Sequence, residues 1–278
     1  MGWDSKLILK DTINALRIIS NSKNNCEINL KDISFATPFL ITPITAYANS
    51  PHKIKYKILN PIDLDCSKYL NVIKFPHSID TTSLNSMDYN TYLPLFKFSM
   101  QNTMYDQKIL VVIDKMITSY GLEDNKNIIN VFLGELIDNI REHSKSENNF
   151  ICCQKYKKKL AISIVDRGIT IQGSYENAGI SFKNDIEALK FALKGKSTKK
   201  EFGDERGTGI PNTLNWVCDA LKGNLLIVSR NSGVYRENTA KIEFFDLKKD
   251  ILGFEGTIIN IFFEIPNEKI DYLSYVNK

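Results

Sequence analysis

Apolar residues recur along this chain at two periods, and the switches between them lay out its elements. Leu7, Ile13, Leu16 and Ile19 fall at roughly helical spacing, which predicts a first helix over residues 5–20. Residues 26–35 (CEINLKDISF) read as a strand running into a polar turn. Residues 36–50 (ATPFLITPITAYANS) read as a helix with Pro38 in its first turn, where a missing N–H costs little, and with a kink at Pro43. Residues 53–60 (KIKYKILN) alternate strictly, as a half-buried strand does, and 64–75 carry a short helical pattern. For this β-α-β-α order a parallel sheet with right-handed crossovers is the default.

Residues 77–90 are rich in Ser, Thr, Asn and Asp and read as a linker, which divides the chain into units 1–88 and 89–278. An extended segment at 91–100 follows, then helices at about 105–120 and 125–146. Strand-like segments fall at 149–156, 159–166, 224–230, 239–246 and 256–264. Between 166 and 224 lie a long polar loop, a helix near 184–194 and a helix starting after Gly209. Helices and a largely antiparallel sheet in this order predict an α/β sandwich, with a smaller α/β unit before it.

Composition narrows the class. Hydrophobic residues make up 43% of the 278, enough for a real core in two ordinary domains or one large one. A formal charge of +4 is small for this length, and nucleic acid is not the partner expected. The run Lys155–Lys159 lies between two predicted strands and reads as a solvated hairpin tip. No stretch approaches the roughly 20 apolar residues that cross a bilayer, and the first ten residues lack a signal-peptide pattern. The expectation is a cytoplasmic protein without a membrane span. The five cysteines contain no CxxC pair, so buried structural thiols are expected rather than zinc ligands. Cys152 and Cys153, adjacent in a predicted strand, should point to opposite faces.

Four short stretches carry chemistry. Glu135, Asn139 and His143 are spaced four apart and form a polar line on a predicted helix, with Leu133, Leu136, Ile137 and Ile140 on its apolar side. Taken alone, such a line is an ordinary solvated face. The apolar strand ending at Asp166 is followed by Gly168, which frees the backbone to turn or to approach a ligand. Gly203–Asn212 places Gly207 and Gly209 at the start of an apolar helix, where N–H groups and the helix dipole suit a phosphate. Glu255-Gly256-Thr257 opens a last apolar strand.

In order and spacing, these four match the boxes of the GHKL superfamily, the Bergerat-fold ATPases of the gyrase, heat-shock, MutL and histidine-kinase type. The resemblance spans about residues 90–266. It implies ATP and Mg²⁺ as cofactors, with Asn139 holding the metal and Glu135 acting as the general base that polarises water. It implies that Asp166 accepts the adenine amino group, that Gly168 lets the ring approach, and that Thr257 supports Asp166. Gly207 and Gly209 would present N–H groups to the phosphates, with the neighbouring Ile210 grouped among the binding residues. The segment from Gly168 to Gly207 would form the ATP lid, where Ser197, Thr198 and Arg206 would meet phosphate charge. His143 is a secondary member of the set. The chain departs from the family's Asp-x-Gly-x-Gly at Thr170, which stands where the second glycine is common.

Residues 20–76 are similar to a STAS domain, the fold of anti-anti-sigma factors. Those factors carry a phosphoacceptor serine in an Asp-Ser-Ser-Gly turn. Here the stretch reads Ala36-Thr37-Pro38-Phe39, with Ser34 nearby, so a scaffolding or docking unit is the expectation. The resemblances together imply a slowly hydrolysing, Mg²⁺-dependent ATP switch for a protein partner, and leave a homodimer open. The alternatives are a serine/threonine kinase of the anti-sigma-factor type and a non-catalytic ATP-dependent binding module. A histidine kinase is not expected, because the histidines upstream of residue 105 are His52 and His77, both in predicted loops.

Overall fold

The apolar runs at 159–166 and 254–264 are nearly continuous because their strands are covered on both faces. A computed structural model describes residues 6–49, 55–79, 92–99, 111, 114–198 and 209–276. Among them, β1 (Glu27–Asn29) and β2 (Lys57–Leu59) pair in parallel, joined through helix α2 (Pro38–Ala48). The remaining strands are β3 (Tyr92–Phe98), β4 (Asn149–Tyr156), β5 (Lys159–Asp166), β6 (Asn224–Arg230), β7 (Ser232–Glu237), β8 (Glu243–Asp246) and β9 (Phe254–Glu264). They form one seven-stranded sheet in the order β3-β4-β5-β9-β6-β7-β8, antiparallel throughout. Lys157 and Lys158 make the two-residue turn between β4 and β5, with Lys157 at φ 55°.

One face of this sheet packs against helix α4 (Lys126–Asn139), the helical stretch 114–119, and helix α7 (Gly209–Leu214) with its π-helical continuation Asn215–Ala220. Ile162, Ile164 and Ile261 project into that layer. The other face packs against α1 (Leu7–Asn25) and α2, so that Ile8, Leu16, Phe39 and Ile44 share a core with Phe150, Val165, Leu226 and Phe262. Each such side chain, fully buried, contributes roughly 1.5–3 kcal/mol. A polar contact fixes the register of α1: Asn260 Nδ2 donates to Thr12 Oγ1 (2.7 Å), which donates to the Ile8 carbonyl (2.6 Å). Helix α3 (Leu64–Val72) is capped by Asp63, which accepts the Cys66 N–H at 2.8 Å. The expected division at residues 88 and 89 lies outside the described residues.

Several expectations need adjusting. Among the described residues, the strand expected within 26–35 and the one expected at 53–60 are three residues each, in a sheet of two strands. The helix expected to reach 146 leaves α geometry at Ile140, passes through a π turn to Ser144 and stops at Lys145, in the left-handed region. The polar loop after Asp166 contains a helix, α5 (Ile171–Asn177), before the anticipated α6 (Asp185–Leu193). Strand β7 was not anticipated, and β8 begins at Glu243 rather than near 239. Cys152 and Cys153 do face opposite layers, but Cys26 is exposed at the end of α1 rather than buried. Thr37 is fully buried and donates to Asp11 Oδ2 (2.7 Å), whereas Ser34 is exposed. Among the described residues, no helix is long and apolar enough to cross a membrane.

Candidate functional site

Strand β5 ends at Asp166, where antiparallel pairing with Asn149 and Thr257 leaves the carboxylate on the α4 side of the sheet. There a cavity of about 310 Å³ opens between the sheet, α4 with its π turn, and the α5–α6 segment. Asp166 is 4% exposed and accepts the Gly168 N–H at 2.9 Å. Burial pushes its carboxyl up to about 7, against lowering by the Gly168 N–H, the Thr257 hydroxyl and the neighbouring Arg167. Thr257 itself lies 3.4 Å from Ser229 Oγ, whose hydroxyl donates to the Gly256 carbonyl (3.1 Å).

Gly168 is a matter of room. A Cβ there would overlap the Ser144 carbonyl, which accepts the Ile169 N–H at 2.6 Å and stitches the turn to the end of the π segment. Thr170 has φ −69° and ψ 168°, ordinary extended backbone, so no glycine is required. It caps α5 instead, accepting the Gly173 N–H at 3.0 Å.

Helix α4 brings Glu135 and Asn139 to the opposite wall, and its π turn keeps His143 on the same side. A π turn widens the helix, and such turns are frequent at functional sites. Burial raises the Glu135 carboxyl, helped by the charges of Asp138 and Glu142. Among the described residues, Asn139 Nδ2 is buried without a hydrogen-bond partner. Gly209, at the start of α7, passes so close that a Cβ would stand 2.7 Å from Glu135 Oε2 and 2.9 Å from Asn139 Nδ2. Ile210 follows it into the lining.

The far rim comes from the end of α6. Ser197 and Thr198 line the cavity, and Thr198 Oγ1 lies 3.4 Å from His143 Nδ1. Lys196 holds its ammonium 3.9 Å from the centre of the Phe191 ring, while its carbonyl accepts the Tyr175 hydroxyl (2.7 Å). Tyr175 and Phe191 meet edge to face at 5.9 Å, so a small apolar centre of its own organises the α5–α6 segment.

The cavity thus gathers Glu135, Asn139, His143, Asp166, Ser197, Thr198, Gly209, Ile210 and Thr257 from the predicted set, with Gly168 directly behind the carboxylate. Arg206 and Gly207 lie outside the described residues. The sequence reading missed Ser144, Ile169, Ile171 and Tyr175. The four-residue spacing of Ile171 and Tyr175 was the available signal for a helix there. Among the described residues, no cluster of three or more His, Cys, Asp or Glu side chains is gathered around a metal position. The oxygens of Glu135 and Asn139 could contribute to the shell of a hard cation, with ligand oxygens and water completing it. Neither protein-family models nor curated proteins give a match to this chain.

Proposed function

We propose that the region from about residue 90 to 266 is a GHKL-type, Bergerat-fold ATP site, and that the protein is a Mg²⁺-dependent, slowly hydrolysing ATP switch for a protein partner, with a STAS-like N-terminal unit. The observation that carries this reading is convergence. Glu135 with Asn139, Asp166, Gly209 and Thr257 come from four separated stretches of sequence and line one cavity.

The donor set fits the ligand. Asp166 offers a carboxylate in poor solvent to a group that donates hydrogen bonds, as the adenine amino group does, and Ile169, Ile171 and Ile259 supply apolar walls for a ring. The Asn139 Nδ2 donor, beside Glu135 and unpartnered among the described residues, suits a phosphate oxygen. Mg²⁺, when bound, would neutralise phosphate charge. Glu135, with its raised carboxyl, then orients the attacking water and takes its proton.

The test is calorimetry of ATP binding with and without Mg²⁺, comparing wild type with Asp166→Ala and following ADP in the same samples. Binding that requires Asp166, with ADP appearing in the wild type, is the expected result; no binding to wild type sinks the proposal. Labelled phosphate passing to a protein hydroxyl would move the assignment to a serine/threonine kinase, and binding with neither outcome to a passive module. Glu135→Gln should bind ATP within about threefold of wild type while losing on the order of 10² or more in ADP release. A matched loss of affinity and turnover would remove Glu135 from the role of base.

Protonation of Asp166 gives this site a pH dependence. Its folded carboxyl, at about 7, lies above the ordinary 3.8, so the free protein gains stability from the proton below about pH 4 and loses it as pH rises through about 7. ATP affinity runs the other way across the same window, because the ionised carboxylate is the acceptor. About a tenfold rise from pH 6 to pH 8 is expected by calorimetry. The phosphates of ATP also titrate in this range, so the Asp166→Asn variant is the control, and a slope that persists in it would assign the effect elsewhere.

A further inference from the structure

Arg167 lies between the carboxylate and the glycine of the site turn, and its side chain leaves the cavity for the other face of the sheet. That side chain is only 5% exposed. Its guanidinium sits 5.6 Å from the ring centre of Tyr47 and 5.3 Å from that of Phe254. It donates to the Glu255 carbonyl (2.8 Å) and to Glu255 Oε2 (3.3 Å). Tyr47 occupies the last turn of α2 and packs at 5.0 Å on Tyr56, just before β2. The Asp166–Gly168 turn is therefore held from three sides: by the Ser144 carbonyl, by the start of β9, and by α2 through Arg167.

We propose that Arg167 is a positioning residue for Asp166, and that Tyr47 of α2 thereby links the second-face layer to the nucleotide cavity. A desolvated guanidinium over an aromatic face is attracted by the ring's quadrupole, and its planar fork serves two acceptors at once, which an ammonium does not. Moving α2 moves this fork, and with it the backbone that carries the carboxylate. The inference deepens the ATP reading and takes its ligand from it, but the link between Tyr47 and Asp166 stands on geometry alone.

The test is a carboxyl-carbon NMR titration of Asp166 and Glu135 in the full chain, with ATP affinity measured on the same proteins. Wild type is compared with Arg167→Met, Arg167→Lys, Tyr47→Leu and Tyr47→Phe. Among the described residues, the other titratable groups facing the cavity are Asp138, Glu142 and His143 on α4 and its π turn, Tyr175 on α5, and Lys196 beyond α6. The Asp166 midpoint should rise by about half a pH unit or more in Arg167→Met and in the same direction in Tyr47→Leu. Tyr47→Phe keeps the ring and should match wild type, and Arg167→Lys should fall between. The Glu135 midpoint should stay in place, since general loosening would move both carboxyls. ATP affinity should fall about fivefold or more in the two disruptive variants. An unmoved Asp166 midpoint in both overturns the proposal whether or not ATP binds. A moved midpoint with no ATP binding by wild type upholds the link and sinks the nucleotide reading alone. Should Arg167→Met fail to fold, the two Tyr47 variants decide.

Discussion

Asp166→Asn is expected to bind ATP on the order of 100-fold more weakly than wild type while melting at or above it at pH 8. The two effects have opposite signs for one reason. The carboxylate is nearly sealed from water, and its pKa is raised to about 7 by burial, so carrying the charge at pH 8 costs folding energy. An amide of the same shape removes that cost and still accepts the Gly168 N–H that Asp166 Oδ1 now takes. What it cannot do is offer a second acceptor, since its remaining polar atom is a donor. A ligand amino group would then meet a buried donor, a mismatch of about 2–3 kcal/mol. Calorimetry for affinity and differential scanning calorimetry for melting check both halves. Affinity within about threefold of wild type would remove Asp166 from ligand recognition.

Gly256→Ala should be a severely damaging single-methyl change near the site, costing on the order of 4 kcal/mol. Gly256 stands at φ +131°, where a side chain is strained, and a Cβ there would overlap the Asp166 carbonyl oxygen and come within 3.0 Å of the Arg167 Cα. Backbone on both sides leaves no rotamer through which to yield. For a chain of this size the melting temperature should fall by about 10 °C, measured by scanning calorimetry. A fall under about 2 °C would show that β9 shifts easily at its start. Because the obstructed atom belongs to Asp166, the surviving folded fraction should also bind ATP more weakly.

Much of the sheet was legible because its strands follow elementary patterns. The central run expected at 159–166 and the late one expected at 256–264 are apolar and bounded by turns, the latter beginning two residues earlier at Phe254, and the polar line of Glu135, Asn139 and His143 does converge on the cavity that also holds Asp166. Helix α5 showed in the sequence only through the spacing of Ile171 and Tyr175, because it is held by tertiary bonds more than by propensity. Gln172, fully buried, donates to the Ser229 carbonyl (3.2 Å) and to Ser232 Oγ (2.9 Å), and Gly173 sits inside the helix. Strand β7 hides behind Gly233, whose missing side chain makes room for the Phe245 ring. The covering of the second sheet face was in principle readable. Residues 38–47 of α2 are all buried, and a helix that is apolar all round belongs between layers rather than on the outside of a small unit.

The adjacent cysteines on β4 turn this layered arrangement into a chemical gauge. Cys152 and Cys153 are both sealed, with thiols pushed up by burial, Cys152 to about 12, so neither reacts while its own layer is closed. One thiol answers to α1 and α2 and the other to α4, though a single peptide bond separates them. Mass spectrometry of an alkylated peptide containing both would therefore report, side by side, how often each coat of the sheet lifts away.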